Sequence, residues 1–299
     1  IHRKYGGVVP ELASRAHVKL IAPIVEQALH DAELTMDKIN GIAVTHGPGL
    51  VGSILIGLNF AKSLSYSRNI PYIGVNHIEG HIFANFVEQT ELSPPFIVLI
   101  VSGGHTQLVY VKNLGEYSTI GQTRDDAAGE AYDKVAKMMD MGYPGGPIID
   151  NLSKKGDEKY IQFPRAMLNE DNFDFSFSGL KTSVLYYLKK HTMEEIEQHR
   201  DDIVASFQAA LIDVLVEKTI RAAIRKNVKS IVLAGGVACN SSLRLKMKQI
   251  ALEKKMAVYF PSPLLCTDNA AMIACAGHYR LQRGEHSSYN LSPLPSLKL

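Results

Sequence analysis

The chain has 299 residues, of which 46% are hydrophobic and 21% charged, and its formal net charge is +2 with histidines neutral. These proportions are typical of a globular protein, long enough for two domains, and they exclude a disordered chain and a strongly basic nucleic-acid coat. No apolar run approaches the length of a membrane span, and the 3 cysteines form no CxxC pair, which favours a reducing, cytosolic-type compartment.

The first part of the chain alternates predicted helices and strands. An apolar helical stripe covers residues 11–29, and a strand at residues 42–45 leads through a Gly-Pro-Gly loop into a helix over residues 53–64. A second strand follows at residues 70–75. This alternation predicts a largely parallel sheet that helices cover. Since the sequence opens at Ile1 as if inside a domain, we also expect a segment upstream of it.

The pattern changes at Pro94-Pro95, where we place a domain boundary. Residues 102–106, Ser-Gly-Gly-His-Thr, predict a hairpin between two strands. The predicted elements of this part are strands at residues 96–101, 107–111 and 230–234, and helices at residues 125–139 and 203–215.

The residues after the second strand read His77-Ile78-Glu79-Gly80-His81. Two histidines four apart lie on one face of a helix turn, so both imidazoles can reach one ion. In zinc proteases the glutamate adjoins a histidine, whereas Glu79 lies roughly 200° around the helix from His77. This position weakens a protease interpretation. Asp268 either caps the helix that follows it or completes a two-histidine, one-carboxylate metal site, and the sequence leaves both open.

Two glycine pairs are candidates for anion binding, because backbone N–H groups beside glycine can approach a phosphate freely. Gly103-Gly104 lie in the hairpin, and Gly235-Gly236 end a strand. Neither pair belongs to a Walker motif or a full GxGxxG. Asn240 either caps the next helix or contacts a ribose or base, with equal support.

Together these segments resemble the TsaD family, the threonylcarbamoyl transferases of tRNA t6A synthesis. The resemblance spans nearly the whole chain, and the sequences of the motifs are similar to those of the bacterial or organellar branch. The matching segments are residues 6–15, 47–50, 77–81, 101–106, 125–133, 143–147, 173–182, 235–240 and 266–272.

The resemblance implies an α/β fold of two related actin/Hsp70-like (ribonuclease H-like) domains with a nucleotide cleft between them. We expect residues 1–94 with about 276–299 to form the first domain and residues 95–275 to form the second. The resemblance also implies that His77, His81 and Asp268 hold one divalent ion, Fe²⁺ or Zn²⁺. It also implies a site for threonylcarbamoyl-AMP or an ATP-type nucleotide, formed by Ile100, Val101, Ser102, Gly103, Gly104, Asp133, Gly146, Asp150 and Asn240.

The implied reaction transfers threonylcarbamoyl from L-threonylcarbamoyl-AMP to N6 of adenosine 37 in tRNAs reading ANN codons, which forms t6A and releases AMP. We assign no catalytic residue, because the acidic hairpin of the family would lie upstream of Ile1.

The alternatives to this function are a metalloprotease, a sugar-kinase-like ATPase that releases ADP, and a nucleotide-gated scaffold. The implied partners are tRNA, a TsaB-like paralogue, a TsaE-like ATPase and a second copy in a homodimer. The implied location is cytoplasmic, or the mitochondrial matrix for an organellar protein, without membrane attachment.

The modest net charge generates a prediction for tRNA binding by the isolated chain. Without an extended basic surface, binding should depend on helper proteins or on a small patch such as residues 244–255. Filter binding at about 50 and 200 mM salt should show weak affinity that falls with salt. Tight binding that salt leaves unchanged would contradict this prediction.

Overall fold

A computed structural model describes residues 9–299, so residues 6–8 of the predicted motif at 6–15 lie outside the described residues. The chain divides into two compact units. One contains the residues up to Val87 together with Asn269–Leu299, and the other is Glu88–Asp268. The assignment of two related domains with boundaries near residues 94 and 276 stays a prediction.

Both units contain helices and strands, which confirms the predicted mixed α/β class. In chain order the elements are α1 (Pro10–Asp31), β1 (Ile42–Gly47), α2 (Val51–Arg68), β2 (Tyr72–Asn76), α3 (His77–Phe83), β3 (Phe96–Val101), β4 (Thr106–Asn113), β5 (Glu116–Gln122), α4 (Ala128–Met138), α5 (Gly145–Ser153), α6 (Ser178–Lys190), α7 (Met193–Gln198), α8 (Arg200–Arg225), β6 (Ser230–Ala234), α9 (Ser241–Glu253), β7 (Ala257–Tyr259), α10 (Pro263–Cys266) and α11 (Ala270–Gln282).

In the first unit, β1 and β2 pair in parallel, and α2 and α11 pack on them. The helix predicted over residues 11–29 is present as α1, but its apolar stripe is mostly exposed. Leu20 is 49% and Ile24 60% exposed, and Ala13 is the buried residue of this helix. The periodicity therefore predicted the helix correctly, but the apolar face that it marks is not buried.

The C-terminal segment of the chain fastens the carboxyl ends of these two strands. The Leu294 amide donates to the His46 carbonyl at 2.7 Å, and the Asn76 side-chain amide donates to the Lys298 carbonyl at 2.9 Å. At Gly47 a Cβ would lie 2.0 Å from the Leu294 carbonyl oxygen, so only glycine permits this approach. Because α3 begins directly after Asn76, the same segment supports the start of the histidine helix.

The second unit contains a five-stranded sheet in the order β5-β4-β3-β6-β7. The central strand β3 is completely buried and pairs antiparallel with β4 and parallel with β6. Val101 is paired with Thr106, which confirms the predicted hairpin. Since β3 and β6 are parallel, their carboxyl ends meet at one edge of the sheet, where α/β proteins commonly bind ligands.

One predicted boundary is wrong: the helix expected over residues 125–139 begins at Ala128. Asp125 is held outside the helix because its carboxylate accepts hydrogen bonds from Ser176, Phe177 and Ser178. Burial alone would raise the pKa of Asp125, but these hydrogen bonds lower it below its usual value. Asp125 thus anchors the loop before α6.

Lys218 of α8 is fully buried and serves as a donor to a loop of the same unit. Its ammonium donates to the carbonyl oxygens of Asn172 and Asp174, at 3.2 and 2.5 Å. Burial, with a contribution from the charge of Arg221, lowers the pKa of Lys218 to about 8. The unfolded chain, with a lysine pKa of about 10.4, binds a proton more tightly than the folded protein.

We therefore expect the free energy of unfolding to rise with pH between about 8 and 10.4, because the unfolded state binds more protons there. Urea denaturation should show this rise in the native sequence and not in Lys218→Met. The exposed Lys229→Met variant is the matched control and should keep the rise. An identical pH dependence in Lys218→Met and the native sequence would contradict the assignment.

Candidate active site

The histidine pair lies on the short helix α3, directly after β2. The Asn76 side chain caps this helix by accepting from the Ile78 amide at 2.8 Å. The rings of His77 and His81 have centroids 4.8 Å apart, so both face the same side, as the spacing predicted. His81 is 1% exposed. Helix α11 packs against α3 at Gly80, where a Cβ would lie 2.6 Å from Ile273 Cδ1.

Asp268 is brought to the same place. One ligand atom from each of His77, His81 and Asp268 lies within 4.8 Å of the others. Of the two roles that the sequence left open for Asp268, the helix cap is provided by Asn269, whose side chain accepts from the Met272 amide at 2.8 Å. Asn269 is the N-cap of α11, and α11 packs on α3. The residue before this cap, Asp268, is therefore placed beside the histidines.

The donor set fits a divalent metal ion. Two imidazoles and one carboxylate are the ligands of catalytic zinc sites and of non-haem iron sites, both of which keep open positions. The burial of the three residues is graded, from buried His81 through half-buried His77 to exposed Asp268. This gradation leaves an open side from which a further ligand can approach the group.

Glu79 is buried at 6% exposure, and its carboxylate lies 3.6 Å from the Arg280 guanidinium. Arg280 also donates to the Gly74 carbonyl at 3.1 Å and to Glu285 at 2.9 Å. The group of ligand atoms does not include Glu79. Its charge is thus compensated by α11, which is a structural role and not that of a protease general base.

A cleft of about 410 Å³ opens in the second unit, where the loops after β3 and β6 meet α4 and α5. Five of the nine residues predicted to bind the adenylate line it. These five are Gly103, Asp133, Gly146, Asp150 and Asn240. The other four, Ile100, Val101, Ser102 and Gly104, do not belong to its lining.

These four residues form the end of β3 and part of the loop after it, which borders the cleft. Ile100 and Val101 are fully buried in β3. Ser102 shapes the hairpin, since its amide donates to the His105 carbonyl at 2.8 Å and its hydroxyl accepts from the His105 amide at 3.1 Å. The Ser102 carbonyl accepts from the Gly129 amide at 3.2 Å, which fixes the hairpin to the start of α4.

Several glycines border open space around the cleft. A Cβ built on Gly103, Gly146 or Gly236 would meet nothing within 4 Å. Gly146 lies in the first turn of α5, where amide groups and the helix dipole favour an anion. These glycines therefore leave room for a phosphate to approach the backbone.

Two carboxylates on the cleft wall are fixed by backbone amides. Asp133 accepts from the Gly145 amide at 2.8 Å, and Asp150 accepts from the Ser241 amide at 3.1 Å. Burial raises the pKa of Asp133 above its usual value, and Glu130 adds to this rise against the Gly145 hydrogen bond. Asp133 is thus held through one carboxylate oxygen, whereas the second oxygen of Asp150 also accepts a hydrogen bond from the Ser241 hydroxyl at 3.0 Å.

Asn240 has the capping role that the sequence left open, because its oxygen accepts from the Leu243 amide at 2.8 Å. Its nitrogen donates to Gln208 at 2.7 Å and to Tyr132 at 3.3 Å. Gln208 also donates to Asp150 at 3.4 Å. Tyr132 and Gln208 were not predicted. In the sequence, Gln208 could have been noticed as a single amide side chain within the apolar stripe of α8. In the structure it is 2% exposed.

The basic patch expected at residues 244–255 is partly occupied by internal contacts. Arg244 donates to the carbonyls of Ala238 and Pro261, at 2.6 and 2.9 Å, and Lys246 pairs with Asp213. Both cations are therefore committed to the fold, and the role of this patch in tRNA binding stays a prediction.

Comparison with known proteins gives consistent matches. The family model described as TsaD, tRNA N6-adenosine threonylcarbamoyltransferase, matches residues 1–275. A curated protein with this name from Clostridium kluyveri is 53% identical over 300 residues, which cover 100% of this chain and 88% of the relative. Another, from Clostridioides difficile (strain 630), is 54% identical over 298 residues with the same coverage.

Among solved structures, full-length HypF in its phosphate- and nucleotide-bound form superposes with a TM-score of 0.64 at 15% identity. The match covers 87% of this chain and 49% of HypF. The similarity concerns the fold alone and agrees with the predicted actin/Hsp70-like class. Across residues 9–299, no helix has both the length and the apolar character that a membrane crossing requires.

The metal group predicts which side chains control metal affinity. His81→Ala should weaken binding of Zn²⁺ or Fe²⁺ at least about a hundredfold, since even residues that only orient ligands contribute 10- to 100-fold. Isothermal titration calorimetry of the metal-stripped protein measures this affinity. His278→Ala, an exposed histidine on α11, is the matched control and should bind metal normally. Equal affinities for the two variants would refute the ligand assignment.

Proposed function

Because the chain belongs to the TsaD family, the tRNA N6-adenosine threonylcarbamoyltransferases, we propose that its glycine-lined cleft binds the threonylcarbamoyl-adenylate donor. The protein is a transferase that forms t6A in tRNA. We propose adenosine 37 of tRNAs reading ANN codons as the acceptor and AMP as the leaving group. The observation that carries the donor site is the convergence of five predicted residues on one cleft.

The cleft residues have complementary roles in this proposal. Amides at Gly103, Gly146 and Gly236 bind the adenylate phosphate, where the first turn of α5 adds a favourable dipole. Asp133 and Asp150 accept from ribose hydroxyls. Holding the phosphate and the ribose fixes the acyl carbonyl for attack by the N6 amine, so the contribution of these residues is orientation.

Breakage of the acyl–phosphate bond places negative charge on the leaving AMP phosphate as the N6 amine forms the new bond to carbon. Backbone N–H groups that bind this phosphate stabilise the charge with little reorganisation. Lys154, which lines the cleft 3.9 Å from the Asp150 carboxylate, adds an ammonium group on the same wall. The transition state is thereby bound more strongly than the ground state.

His77, His81 and Asp268 would hold the divalent ion, for which we propose Fe²⁺ or Zn²⁺. A bound ion of this kind supplies Lewis-acid polarisation of an oxygen or a fixed position for a carboxylate. Asn76 and the packing of α11 on α3 orient the imidazoles for it. The ion pair of Glu79 with Arg280 gives no support to the protease alternative.

We also propose a TsaB-like paralogue and a TsaE-like ATPase as partners, and a cytoplasmic location where tRNA is available. The support for helpers is the small net charge of +2 together with the internal use of Arg244 and Lys246. Since tRNA affinity rises with the number of phosphates neutralised, these features favour shared binding of tRNA.

Asp133→Asn tests the donor site directly. The amide oxygen can still accept from the Gly145 amide, but the charge that favours a ribose hydroxyl is lost. Hydrogen bonds to charged groups contribute about 1.5–3 kcal/mol, so KM for L-threonylcarbamoyl-AMP should rise about 10- to 100-fold. The measurement is t6A in tRNA by nucleoside mass spectrometry, with AMP release followed in parallel by the protein and its helpers.

Asp140→Asn is the matched control, since Asp140 is an exposed carboxylate that follows α4 and does not line the cleft. Its KM should change less than about twofold, as expected for an exposed residue outside the site. Equal KM values for the two variants would remove Asp133 from the donor site. Release of ADP in place of AMP would overturn the proposed reaction.

A further inference from the structure

A cysteine on the wall of the cleft, Cys239, has a second, buried cysteine, Cys266, packed behind it. Cys239 ends the short 3-10 turn Gly236–Cys239, is half-buried and lines the cleft. Cys266 is the last residue of α10 and is buried. The turn and α10 are packed against each other within the second unit. The function described above uses neither thiol.

The two sulfur atoms lie close to the same short loop. Cys239 Sγ lies 3.7 Å from the Pro263 carbonyl oxygen, and Cys266 Sγ lies 3.6 Å from the Pro261 carbonyl oxygen. These two carbonyls are separated by a single residue, Ser262. The backbone therefore holds both sulfur atoms at the same short segment of chain.

A fixed positive charge adjoins the pair. Arg244 Nη2 lies 3.2 Å from Cys266 Sγ. Its guanidinium is held by the Ala238 carbonyl at 2.6 Å and lies over the Phe260 ring, 4.2 Å from the ring centroid. A guanidinium stabilises a neighbouring thiolate, the form of cysteine that reacts with oxidants.

The electrostatics distinguish Cys239 from the third cysteine. The hydrogen bond from Cys266 and the charge of Arg244 outweigh burial and lower the pKa of Cys239 to about 7. Burial raises the pKa of Cys275. At neutral pH Cys239 is thus substantially ionised and faces the open cleft, whereas Cys275 is protonated.

We propose that Cys239 and Cys266 form a redox pair that a peroxide converts to a disulfide across the wall of the cleft. The Cys239 thiolate attacks one oxygen of hydrogen peroxide, which breaks the O–O bond, releases hydroxide and forms a sulfenic acid. Cys266 sulfur then attacks Cys239 sulfur and displaces the hydroxyl group, which leaves as water with the Cys266 proton. The hydroxide takes up the proton that Cys239 lost on ionising, so two thiols are oxidised to one disulfide and one peroxide is reduced to two waters.

The disulfide has a consequence for ligand binding, which rests on the proposed function of the cleft. It ties the turn that carries the Gly236 amide to α10 and draws the Cys239 side chain out of the lining. Asn240 and Thr267, the next residues along the chain, line the same cleft. The oxidised protein should therefore bind nucleotide about tenfold more weakly than the reduced protein, and dithiothreitol should restore binding.

The covalent step is tested on the full chain with hydrogen peroxide at neutral pH, followed by alkylation and peptide mass spectrometry. The expected result is one linked pair, Cys239 with Cys266, and a free Cys275. Cys275→Ser is the matched control and should form the same disulfide. Links that involve Cys275, or three unmodified thiols under conditions that oxidise a free cysteine, would overturn the pair.

Two variants separate the roles of the thiols. Cys266→Ser should stop at the sulfenic acid of Cys239, which dimedone traps, whereas Cys239→Ser should leave Cys266 unreacted because it is buried. Dimedone adducts at Cys266 in Cys239→Ser would contradict the order of attack. If Cys266→Ser does not fold, dimedone added to the native chain during brief oxidation still reports which sulfur reacts first.

Nucleotide binding is measured separately, by titrating ATP into the reduced and the oxidised protein. Tenfold weaker binding after oxidation supports the regulatory role. Equal affinities would reject this role and leave the proposed donor site standing. Absence of nucleotide binding by the reduced protein would instead count against the donor site, while the disulfide map would remain a separate result.

Discussion

The close approach of β6 to β3 is the constraint on which the second unit depends. Gly235 directly follows β6 with a φ of +89°, and a Cβ there would lie 2.3 Å from the Val101 carbonyl oxygen. A side chain at this position would force the carboxyl ends of the two parallel strands apart. At Gly129, a Cβ would likewise lie 2.6 Å from the Ser102 carbonyl oxygen. These two contacts bring the hairpin, the 3-10 turn and α4 to one cleft.

The first unit obtains its site in a different way, through segments distant in sequence. The histidines follow β2 immediately, so the strand sets where α3 starts. The side-chain amide of Asn76 connects α3 to the C-terminal segment, since its oxygen caps α3 and its nitrogen donates to the Lys298 carbonyl. Arg280 compensates the buried charge of Glu79 from α11. The metal-ligand geometry is thus a product of tertiary packing as much as of histidine spacing.

Local patterns predicted the parts of the structure that local physics determines. The apolar runs of β3 and β6, the glycine hairpin and the histidine face of α3 follow from periodicity and backbone freedom. The start of α4 could not be predicted, because Asp125 is held by Ser176, Phe177 and Ser178, some fifty residues away. The same holds for Gln208, whose amide joins Asn240 and Asp150, and for the choice of Asn269 over Asp268 as helix cap.

The central claim is that the cleft at the carboxyl ends of β3 and β6 holds the adenylate donor through backbone amides. Amide chemical shifts of the isotopically labelled chain, recorded by NMR during addition of L-threonylcarbamoyl-AMP, test it most directly. The account predicts that saturable shifts centre on Gly103, Gly146 and Gly236. Shifts that centre instead on the groove of the first unit lined by Gly41 and Gly284, with these three amides unchanged, would contradict it.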